Sequence, residues 1–244
     1  MIKINGVKTE PSFFPDGTSA FRVMIPETDE ITLTWCFDGN SEMAELFFIV
    51  NHIRAHRKNA KLVLEMPYIP NARMDRVKNP DEVFTLKYFS EFINSLNFEC
   101  VKVYDPHSDV SAALIDGIEK ISHMPFIEEI MKKMNFEAGK DMLFYPDAGC
   151  AKKYESVFRM PYLKGEKKRD WRTGKILGLE LSGDIPAEPF RVLIIDDICS
   201  KGGTFYYSAK ALKELGADEI YLYISHCENT VLKGNIIDGD LIKK

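Results

Sequence analysis

The chain has 244 residues, of which 45% are hydrophobic and 28% are charged, and its formal net charge is -5. This composition is typical of a globular protein with one large or two modest cores, and the acidic balance argues against nucleic acid as a partner. Because no stretch approaches the roughly 18 apolar residues that cross a bilayer, and the first residues lack the apolar segment of a secretory signal, we expect no membrane partner and a cytoplasmic location.

Short apolar runs rich in β-branched or aromatic residues alternate along the chain with longer segments of helical period. This alternation is typical of βαβ units and a parallel sheet, so the predicted class is α/β. In chain order we predict a helix over Ser41–Ala55, a strand over Lys61–Met66, a helix over Thr85–Leu96, strands over Glu99–Tyr104 and Met142–Tyr145, a helix over Lys152–Phe158, a strand over Arg191–Ile195, a helix over Thr204–Leu215 and a strand over Glu219–Ile224. Loops are expected on the remaining segments.

The composition of the chain changes near its middle. The change falls at about residues 121–140 and is followed by a new strand, which predicts two α/β halves. We therefore place the boundary at about residue 125, with residues 1–125 forming an N-terminal half and residues 126–244 forming a C-terminal half.

The cysteines predict no covalent or metal framework. Their number is odd, their spacing is wide and no CxxC pair occurs among them. They are Cys36, Cys100, Cys150, Cys199 and Cys227. Such a pattern favours reduced, mostly packed thiols over a set of disulfides or a zinc site.

The segment with the clearest chemistry is residues 192–204, which read VLIIDDICSKGGT. An apolar strand that ends in Asp196 and Asp197 places two carboxylates at the carboxyl edge of a parallel sheet, where they can accept hydrogen bonds from ribose hydroxyls. Gly202 and Gly203 let the backbone approach an anion, and the helix that follows offers unpaired N–H groups to a phosphate. The Walker A pattern GxxxxGK[ST] is absent. Alone, the segment is also compatible with an acidic strand end and a helix-entry turn.

Residues 192–204 resemble the ribose-phosphate loop of the type I phosphoribosyltransferases and of the phosphoribosyl pyrophosphate synthetases, whose strand also ends in two acids and leads to Thr-Gly-Gly-Thr. Two further segments resemble the synthetases alone, namely PYIPNARMDR at residues 67–76 and DPHSD at residues 105–109. YPDAGCA at residues 145–151 is similar to their diphosphate loop, and residues 164–175 occupy the place of their basic mobile loop. Because these motifs are collinear from about residue 12 to residue 236, the chain resembles a short, divergent ribose-phosphate diphosphokinase.

The resemblance implies a fold of two phosphoribosyltransferase-like α/β halves, each with a mostly parallel sheet flanked by helices. It also implies a reaction in which the anomeric hydroxyl of a ribose 5-phosphate-type acceptor attacks the β-phosphorus of ATP, so that the diphosphate moves and AMP leaves. The N-terminal half would bind ATP, and the C-terminal half would carry the diphosphate, basic and ribose-phosphate loops. Magnesium (Mg2+) is the expected cofactor, since it bridges phosphate oxygens and neutralises charge during transfer.

Several residues are implied for ATP and the metal. The ATP-binding set is Phe14, Asp16, Arg73, Arg76 and His107. Phe14 and Asp16 stand in FPDG, which is similar to a family segment that reaches the adenine of ATP across a subunit interface, so a homo-oligomer (dimer or higher) is implied. Guanidinium groups suit the triphosphate oxygens. His107 and Asp147 would lie at or near the metal, with the Asp147 carboxylate as a direct ligand.

The C-terminal half is expected to bind the acceptor and the transferring group. The catalytic residues implied are Lys167, Lys168 and Arg169, with Arg172 and Lys175 close enough in sequence to assist. These cations would bind the diphosphate as the basic loop closes over the substrate and excludes water. The acceptor-binding residues implied are Asp196, Asp197, Ser200, Lys201, Gly202, Gly203 and Thr204.

Departures from the family pattern bear on the acceptor. The family's Asp-Thr-Gly-Gly-Thr reads Ser-Lys-Gly-Gly-Thr at residues 200–204, which makes the anion site more positive, and Met74 and Asp170 replace glutamine and arginine. The sequence also ends soon after SHCENTVLKGNII, before the final elements usual in the synthetases. The added lysine and the shortened C-terminus suit an acceptor whose 5-phosphate carries a further group. We therefore keep two acceptors: ribose 5-phosphate, which gives phosphoribosyl pyrophosphate, and ADP-ribose, whose 1-pyrophosphate product would serve NAD synthesis.

Two other readings remain open. The first is a phosphoribosyltransferase that consumes the activated sugar. Such an enzyme would have the same ribose-phosphate loop as residues 192–204, but it would not need the segments at 67–76 and 105–109. An inactive homologue that regulates a true synthetase is the non-enzymatic alternative. The acid pair, His107, Asp147 and the basic loop argue against it.

Overall fold

The computed structural model describes residues 1–169, 176–186, 189–234, 236–237 and 239–243, without the side chains of residues 167–169 and 176–178. Contacts between Cα atoms divide the chain into two compact units, Met1–Ser122 and His123–Lys244. The division falls close to the boundary that the sequence places at residue 125. In the described part of the chain, no helix is both long enough and apolar enough to cross a membrane.

Unit 1 contains a six-stranded sheet, a small hairpin and three helices in its described residues. The strands of the sheet are β1 (Ile2–Ile4), β2 (Val7–Lys8), β5 (Glu30–Trp35), β6 (Lys61–Glu65), β7 (Cys100–Tyr104) and β8 (Ile118–Ile121). The hairpin is β3 (Ser12–Phe13) with β4 (Ser19–Ala20), and the helices are α1 (Ser41–His56), α2 (Thr85–Ser95) and α3 (Asp109–Ala113). The sheet order is β2-β1-β5-β6-β7-β8. Strands β5 to β8 are parallel, and β1 and β2 continue one edge in antiparallel pairing.

The hydrophobic pattern of unit 1 explains its single core. In β5, the apolar residues Ile31, Leu33 and Trp35 are fully buried and alternate with less buried threonines, as the two-residue period of a strand requires. The helices bury apolar residues three and four positions apart. In α1 these are Leu46, Ile49, Val50 and Ile53, and in α2 they are Leu86, Phe89 and Ile93.

Unit 2 contains a five-stranded sheet with helices on both faces. Its strands are β9 (Met142–Tyr145), β10 (Tyr162–Arg169), β11 (Ile176–Ser182), β12 (Phe190–Cys199) and β13 (Ala217–Cys227). Its helices are α4 (Met124–Lys133), α5 (Ala148–Phe158) and α6 (Gly203–Glu214), and a 3-10 turn follows at Asn229–Lys233. The order is β11-β10-β9-β12-β13, and every neighbouring pair is parallel except β10 with β11.

Two cores lie on the two faces of the unit 2 sheet. Residues 192–195 are completely buried, and alternate members face opposite sides. Val192 and Ile194 belong to the core that α6 covers, whereas Leu193 and Ile195 belong to the core that contains residues of α4 and α5. A strand covered on both faces reads as a continuous apolar run, which is the pattern seen here.

The α/β class with two sheet-bearing halves is confirmed. The expectation of loops on the remaining segments is wrong for strands β1 to β5, β8, β10 and β11, for helices α3 and α4 and for the 3-10 turn. The alternation of β5 with threonine and the charges of β10, which reads YLKGEKKR, hide both strands from a search for apolar runs. The strand that was expected to end at the acid pair continues to Cys199, because β12 pairs with β13 over that length.

Candidate functional site

The topology of unit 2 places a candidate site at the carboxyl ends of β9 and β12. From β9 the chain crosses through α5 to β10 on one side, and from β12 it crosses through α6 to β13 on the other side. The two adjacent strands therefore flank a point where the winding direction reverses. In open α/β sheets, ligands bind in the crevice at this point, beyond the carboxyl ends of the strands.

Asp147 follows β9 and caps helix α5. Its Oδ1 atom accepts hydrogen bonds from the backbone N–H groups of Gly149 and Cys150, both at 3.1 Å. These bonds satisfy two of the unpaired amides of the first helical turn and fix the orientation of the carboxylate. The Cys150 thiol donates to the carbonyl of Ile195 at 3.0 Å, which ties the start of α5 to β12. Burial raises the pKa of this thiol well above its ordinary range, so it stays protonated.

The acid pair lies within β12 beside Asp147. The Oδ1 atom of Asp196 accepts from the backbone N–H of Asp197 at 3.0 Å, and Asp197 is only 8% exposed. Burial, the charge of Asp197 and, to a smaller extent, the charge of Asp147 raise the pKa of Asp196 to about 7. The structure therefore brings together the three carboxylates that the sequence predicts in the C-terminal half.

Lys153 of α5 completes this cluster, and sequence reasoning missed it. Its Nζ atom lies 3.7 Å from Oδ2 of Asp197, and both side chains are partly shielded from solvent. The pair partly offsets the cost of burying several carboxylates in one place. In the sequence, the one sign of a role for Lys153 is its position beside the apolar Tyr154 in a predicted helix.

In the loop after β12, the backbone conformation requires glycine at only one of the two glycine positions. Gly202 has a φ of 77° and caps α6, and a Cβ atom built there would lie 2.6 Å from Cγ2 of Ile236. Gly203 has no such restriction, and a Cβ atom there would meet nothing within 4 Å. Lys201 and Gly203 are exposed, and Ser200 and Thr204 are half-buried. Open space at the first residue of a helix, where amides lack partners, suits an anion.

The basic segment differs from the expected loop. Backbone pairing continues through Arg169, with Lys167 opposite Leu179, Lys168 opposite Gly178 and Arg169 opposite Ile176. Residues 162–169 are therefore one arm of an antiparallel hairpin, and the register shifts between Lys168 and Arg169. The side chains of the three predicted catalytic residues lie outside the described set, as do Arg172 and Lys175.

In unit 1, the two synthetase-like segments follow the neighbouring parallel strands β6 and β7. The backbone N–H of Tyr104 donates to the carbonyl of Pro67 at 3.2 Å and joins the segments where they begin. Ile69 and Ala72 are buried and anchor the first segment. Arg73 and Arg76, which follow them in the same segment, are exposed. These arginines are presented to solvent at the carboxyl edge of the sheet.

His107 lies in a short connection between β7 and α3. Asp105 before it is 2% exposed and has a φ of 43°, and Ser108 after it caps α3 with a reciprocal hydrogen bond to Ser111. The half-buried His107 is therefore held from both sides by ordered backbone. Among the described residues, no three His, Cys, Asp or Glu side chains are placed so that together they could hold a metal ion.

Phe14 and Asp16 lie at the tip of the β3–β4 hairpin. Phe14 is 58% exposed, whereas Asp16 is bonded within its own turn. Its Oδ1 atom accepts from the Thr18 hydroxyl at 2.7 Å and from the Thr18 N–H at 3.0 Å, and these bonds lower the pKa of Asp16. In this arrangement Asp16 stabilises the turn that presents Phe14.

The fold defines an α/β protein with two sheets of mostly parallel strands flanked by helices, and comparisons specify its family. No family model matches the chain. The chain is 30% identical over 226 residues to the ribose-phosphate pyrophosphokinase of Saccharolobus solfataricus, covering 90% of this chain and 76% of that protein. It is 27% identical over 228 residues to the enzyme of the same name from Pyrococcus abyssi, covering 91% and 77%. The chain belongs to the ribose-phosphate pyrophosphokinase family, as the motif resemblance predicted.

A solved structure supports the fold. The phosphoribosylpyrophosphate synthetase from Mycobacterium smegmatis superposes with a TM-score of 0.72 at 16% identity, over 91% of this chain and 74% of that one. At this identity the likeness concerns the fold alone. It agrees with two sheet-bearing halves built from parallel strands and flanking helices.

Proposed function

We propose that this protein transfers the β,γ-diphosphate of ATP to the anomeric hydroxyl of a ribose 5-phosphate-type acceptor, giving a 1-pyrophosphate and AMP. The observation that carries the proposal is the pairing of Asp196 and Asp197 with an open glycine loop at the reversal point of the unit 2 sheet. Carboxylates suit vicinal ribose hydroxyls, and a helix start suits a phosphate. The names of the relatives describe the same class of reaction.

Each part of the loop has a role in acceptor binding. The acid pair accepts hydrogen bonds from two ribose hydroxyls and thereby orients the anomeric oxygen. The amides at the start of α6 and the Ser200 and Thr204 hydroxyls bind the 5-phosphate. Gly203 keeps the space that the phosphate needs, because nothing lies within 4 Å of its Cβ position. Lys153 holds Asp197 in place from the neighbouring helix.

Magnesium is the proposed cofactor, and it would neutralise the phosphate charge that develops as the diphosphate moves. Magnesium is commonly held by one or two carboxylates together with substrate phosphates and water, so a site without three protein ligands fits it. Asp147 supplies a carboxylate whose orientation two amides already fix. Within unit 1, His107 is proposed to lie at or near a metal, and Arg73, Arg76 and Phe14 are the proposed ATP contacts.

The hairpin formed by β10 and β11 would bring cations to the diphosphate. Lys167, Lys168 and Arg169 are proposed as the catalytic cations of this hairpin, because guanidinium and ammonium groups stabilise charge on a transferring phosphoryl group.

A homo-oligomer is proposed from the exposed β3–β4 hairpin that presents Phe14. Unit 1 is proposed as the ATP-binding half of the protein. The cytoplasmic location remains a prediction of the sequence.

ADP-ribose is a second candidate acceptor, and the exposed Lys201 favours it. A cation beside the 5-phosphate position would bind a further phosphate, which ADP-ribose has and ribose 5-phosphate lacks. The product, ADP-ribose 1-pyrophosphate, would be an activated donor for NAD synthesis. Both acceptors require the same donor chemistry and the same acid pair.

The test is AMP formation. The protein is incubated with ATP, magnesium and either acceptor, and the nucleotides are separated. AMP with ribose 5-phosphate supports an ordinary synthetase, and AMP only with ADP-ribose makes Lys201 a determinant of the acceptor. AMP with neither contradicts the proposal and favours a phosphoribosyltransferase or a regulatory homologue.

Variants assign the activity to the unit 2 site. Asp197→Asn should lower turnover about 10- to 100-fold, as expected when a charged hydrogen-bond partner is lost. The exposed Asp218→Asn in the same unit is the matched control and should retain activity. Gly203→Ala should raise the KM for the acceptor while that for ATP stays constant. Equal KM values for Gly203→Ala and the unaltered protein would argue against a phosphate at this loop.

A further inference from the structure

We propose that Cys199 and Cys227 are a redox-sensitive pair, which a peroxide oxidises to an intrachain disulfide at the base of the acceptor loop. Cys199 is the last residue of β12 and directly precedes Ser200, and Cys227 is the last residue of β13. The two residues are 28 positions apart in sequence, which is why their spacing gives no sign of a pair.

The geometry of the sheet brings the two residues together. Cys199 and Cys227 are direct partners in the parallel pairing of β12 with β13. Neighbouring strands lie about 4.7–4.9 Å apart, and disulfides form across Cα distances of about 4.4–6.8 Å. Side chains of paired residues project from the same face of the sheet, and Cys227 is a neighbour whose charge helps to raise the pKa of Cys199. The Cys199 thiol donates to the carbonyl of Ser200 at 3.6 Å, so it lies at the start of the loop.

The environments of the two thiols give them different roles. Cys227 is exposed, and Cys199 is 1% exposed. Burial, reinforced by the neighbouring Cys227, raises the pKa of Cys199 to about 11, so this thiol stays protonated. Burial also raises the pKa of Cys227, with Cys199 acting in the opposite direction to a smaller extent. Because Cys227 is the thiol that solvent reaches, it meets the peroxide first and is the attacking thiol, and the buried Cys199 is the resolving thiol.

The chemistry proceeds in two balanced steps. The Cys227 thiolate attacks one oxygen of hydrogen peroxide, the O–O bond breaks, and a sulfenic acid and hydroxide form. The Cys199 sulfur then attacks the sulfenic sulfur, the S–O bond breaks, and hydroxide leaves as the disulfide forms. With the two thiol protons, the net products are one disulfide and two molecules of water. A dithiol reductant reverses the change by thiol–disulfide exchange.

The other described cysteines lack such a partner thiol. The Cys100 thiol donates to Glu119 Oε2 at 3.4 Å, and the Cys150 thiol donates to a backbone carbonyl. Cys36 is exposed in unit 1 and follows β5. Cys36 therefore serves as an internal control for an exposed thiol without a neighbouring cysteine.

A disulfide should change the acceptor loop. The carbonyl of Cys199 accepts from the backbone N–H of Glu228 at 2.9 Å, so the loop and the segment after β13 already meet here. A disulfide requires the sulfur atoms to approach to about 2.0 Å, which moves the start of residues 200–204. If the loop binds the acceptor as proposed, the KM for the acceptor should rise roughly tenfold, because small displacements of positioning groups are costly. The KM for ATP should stay constant.

The first test reads the bond itself and needs no activity. The full chain is treated with hydrogen peroxide, its remaining thiols are alkylated, and tryptic peptides are analysed by mass spectrometry. We expect residues 192–201 and 214–233 to be joined with the loss of two hydrogens, and a dithiol reductant to separate them. Cys36→Ser should retain this crosslink, and Cys227→Ser should lose it.

Two results would overturn the pairing. One is that Cys227 accumulates as a sulfinic acid to the same extent in the unaltered protein and in Cys199→Ser. The other is that the only disulfides join different chains. A crosslink that forms while the acceptor KM stays constant would refute the link to the loop. An absence of AMP formation in reduced protein would instead count against the proposed function and leave the disulfide result standing.

Discussion

The candidate residues of the two units differ in how far they are fixed before any ligand binds. In unit 2, Asp197 is 8% exposed and Asp147 is bonded to two amides. In unit 1, Phe14 is 58% exposed and the Arg76 side chain is 74% exposed. The candidate carboxylates of unit 2 are thus packed or hydrogen-bonded within their unit, whereas the ATP candidates Phe14 and Arg76 project into solvent.

Topology explains much of this difference. In unit 2 the crossover connections leave β9 and β12 in opposite directions, so two strand ends and two helix starts converge on one crevice. In unit 1 the connections from β5 to β8 advance in one direction across the sheet, and the candidate segments lie side by side on neighbouring strands. Substitutions around the unit 2 site should therefore change stability as well as function, and those in unit 1 should change function alone.

The largest expected effect concerns the partly buried ion pair between Arg191 and Asp141, which supports the unit 2 sheet. Arg191 at the start of β12 donates to both oxygens of Asp141, at 2.9 and 2.6 Å, and also to the carbonyls of Met134 and Asn135. Asp141 is 3% exposed. Arg191→Met leaves this carboxylate buried without its cation and should lower the free energy of unfolding by about 3–5 kcal/mol, measured by urea denaturation.

The control for Arg191→Met is an exposed ion pair in the same unit. Lys133 and Glu129 of α4 form an i,i+4 pair at 2.8 Å with well-exposed side chains. Lys133→Met should change the free energy of unfolding by at most about 1 kcal/mol. If the two variants unfold at the same urea concentration, the unit 2 sheet does not depend on the Arg191 pair.

The second effect separates the two glycines of the acceptor loop. Gly202→Ala places a Cβ atom at a φ of 77° and at 2.6 Å from Ile236, and it should cost about 1–3 kcal/mol of stability. Gly203→Ala meets no atom within 4 Å and should be neutral or stabilise α6 by up to about 1 kcal/mol. Thermal unfolding of both variants checks the difference. Equal destabilisation would mean that the contact with Ile236 is absent in solution.

Sequence reasoning recovered the parts of this molecule that are local in the chain. The apolar runs of β6, β7, β9 and β12 predicted their strands, and the glycines at 202 and 203 predicted a turn into a helix. The β10–β11 hairpin was read as a loop because residues 164–169 are mostly charged. An antiparallel partner with apolar positions such as Leu179 and Leu181 allows such a sequence to form a strand.

The features that sequence reasoning missed depend on tertiary contacts. Lys153 reaches Asp197 from another element, Ile236 packs against Gly202, and Cys199 faces Cys227 across two strands. None of these pairs has a sequence spacing that marks it. The acid pair was found because its two members are adjacent and follow an apolar strand, which is a local pattern with a known place in parallel sheets.

A third, smaller effect is the pH dependence caused by Asp196. Burial and the charge of Asp197 raise its pKa from 3.8 to about 7 in the folded chain. The folded state therefore binds this proton more tightly than the unfolded state, and stability falls as pH rises between these values. Asp196→Asn removes this loss. Without ATP and magnesium, the Tm of the variant minus that of the unaltered protein should increase from pH 4 to pH 7. Above pH 7 this difference should stay constant.

The control for the pH profile is Asp218→Asn, since Asp218 is exposed on the same unit. Its Tm should follow that of the unaltered protein at every pH. If Asp196→Asn also follows the unaltered protein, the carboxylates of unit 2 are not crowded in solution, and the proposed preorganisation of the acceptor site fails with them.

The smallest effect on stability is expected in unit 1, and it makes the contrast between the units sharp. Arg76 pairs only loosely with its neighbour Asp75, at 3.3 Å, and its side chain is 74% exposed. Arg76→Ala should change the free energy of unfolding by no more than about 0.5 kcal/mol. It should nevertheless weaken ATP binding about tenfold, because a guanidinium contact to phosphate is lost.

The control for Arg76→Ala is Arg22→Ala, since Arg22 is exposed in the same unit. Calorimetric titration with ATP, together with Tm, distinguishes a ligand contact from a structural role. A lowered Tm with unchanged ATP affinity would show that the segment at residues 67–76 supports the fold of unit 1 instead of binding the donor.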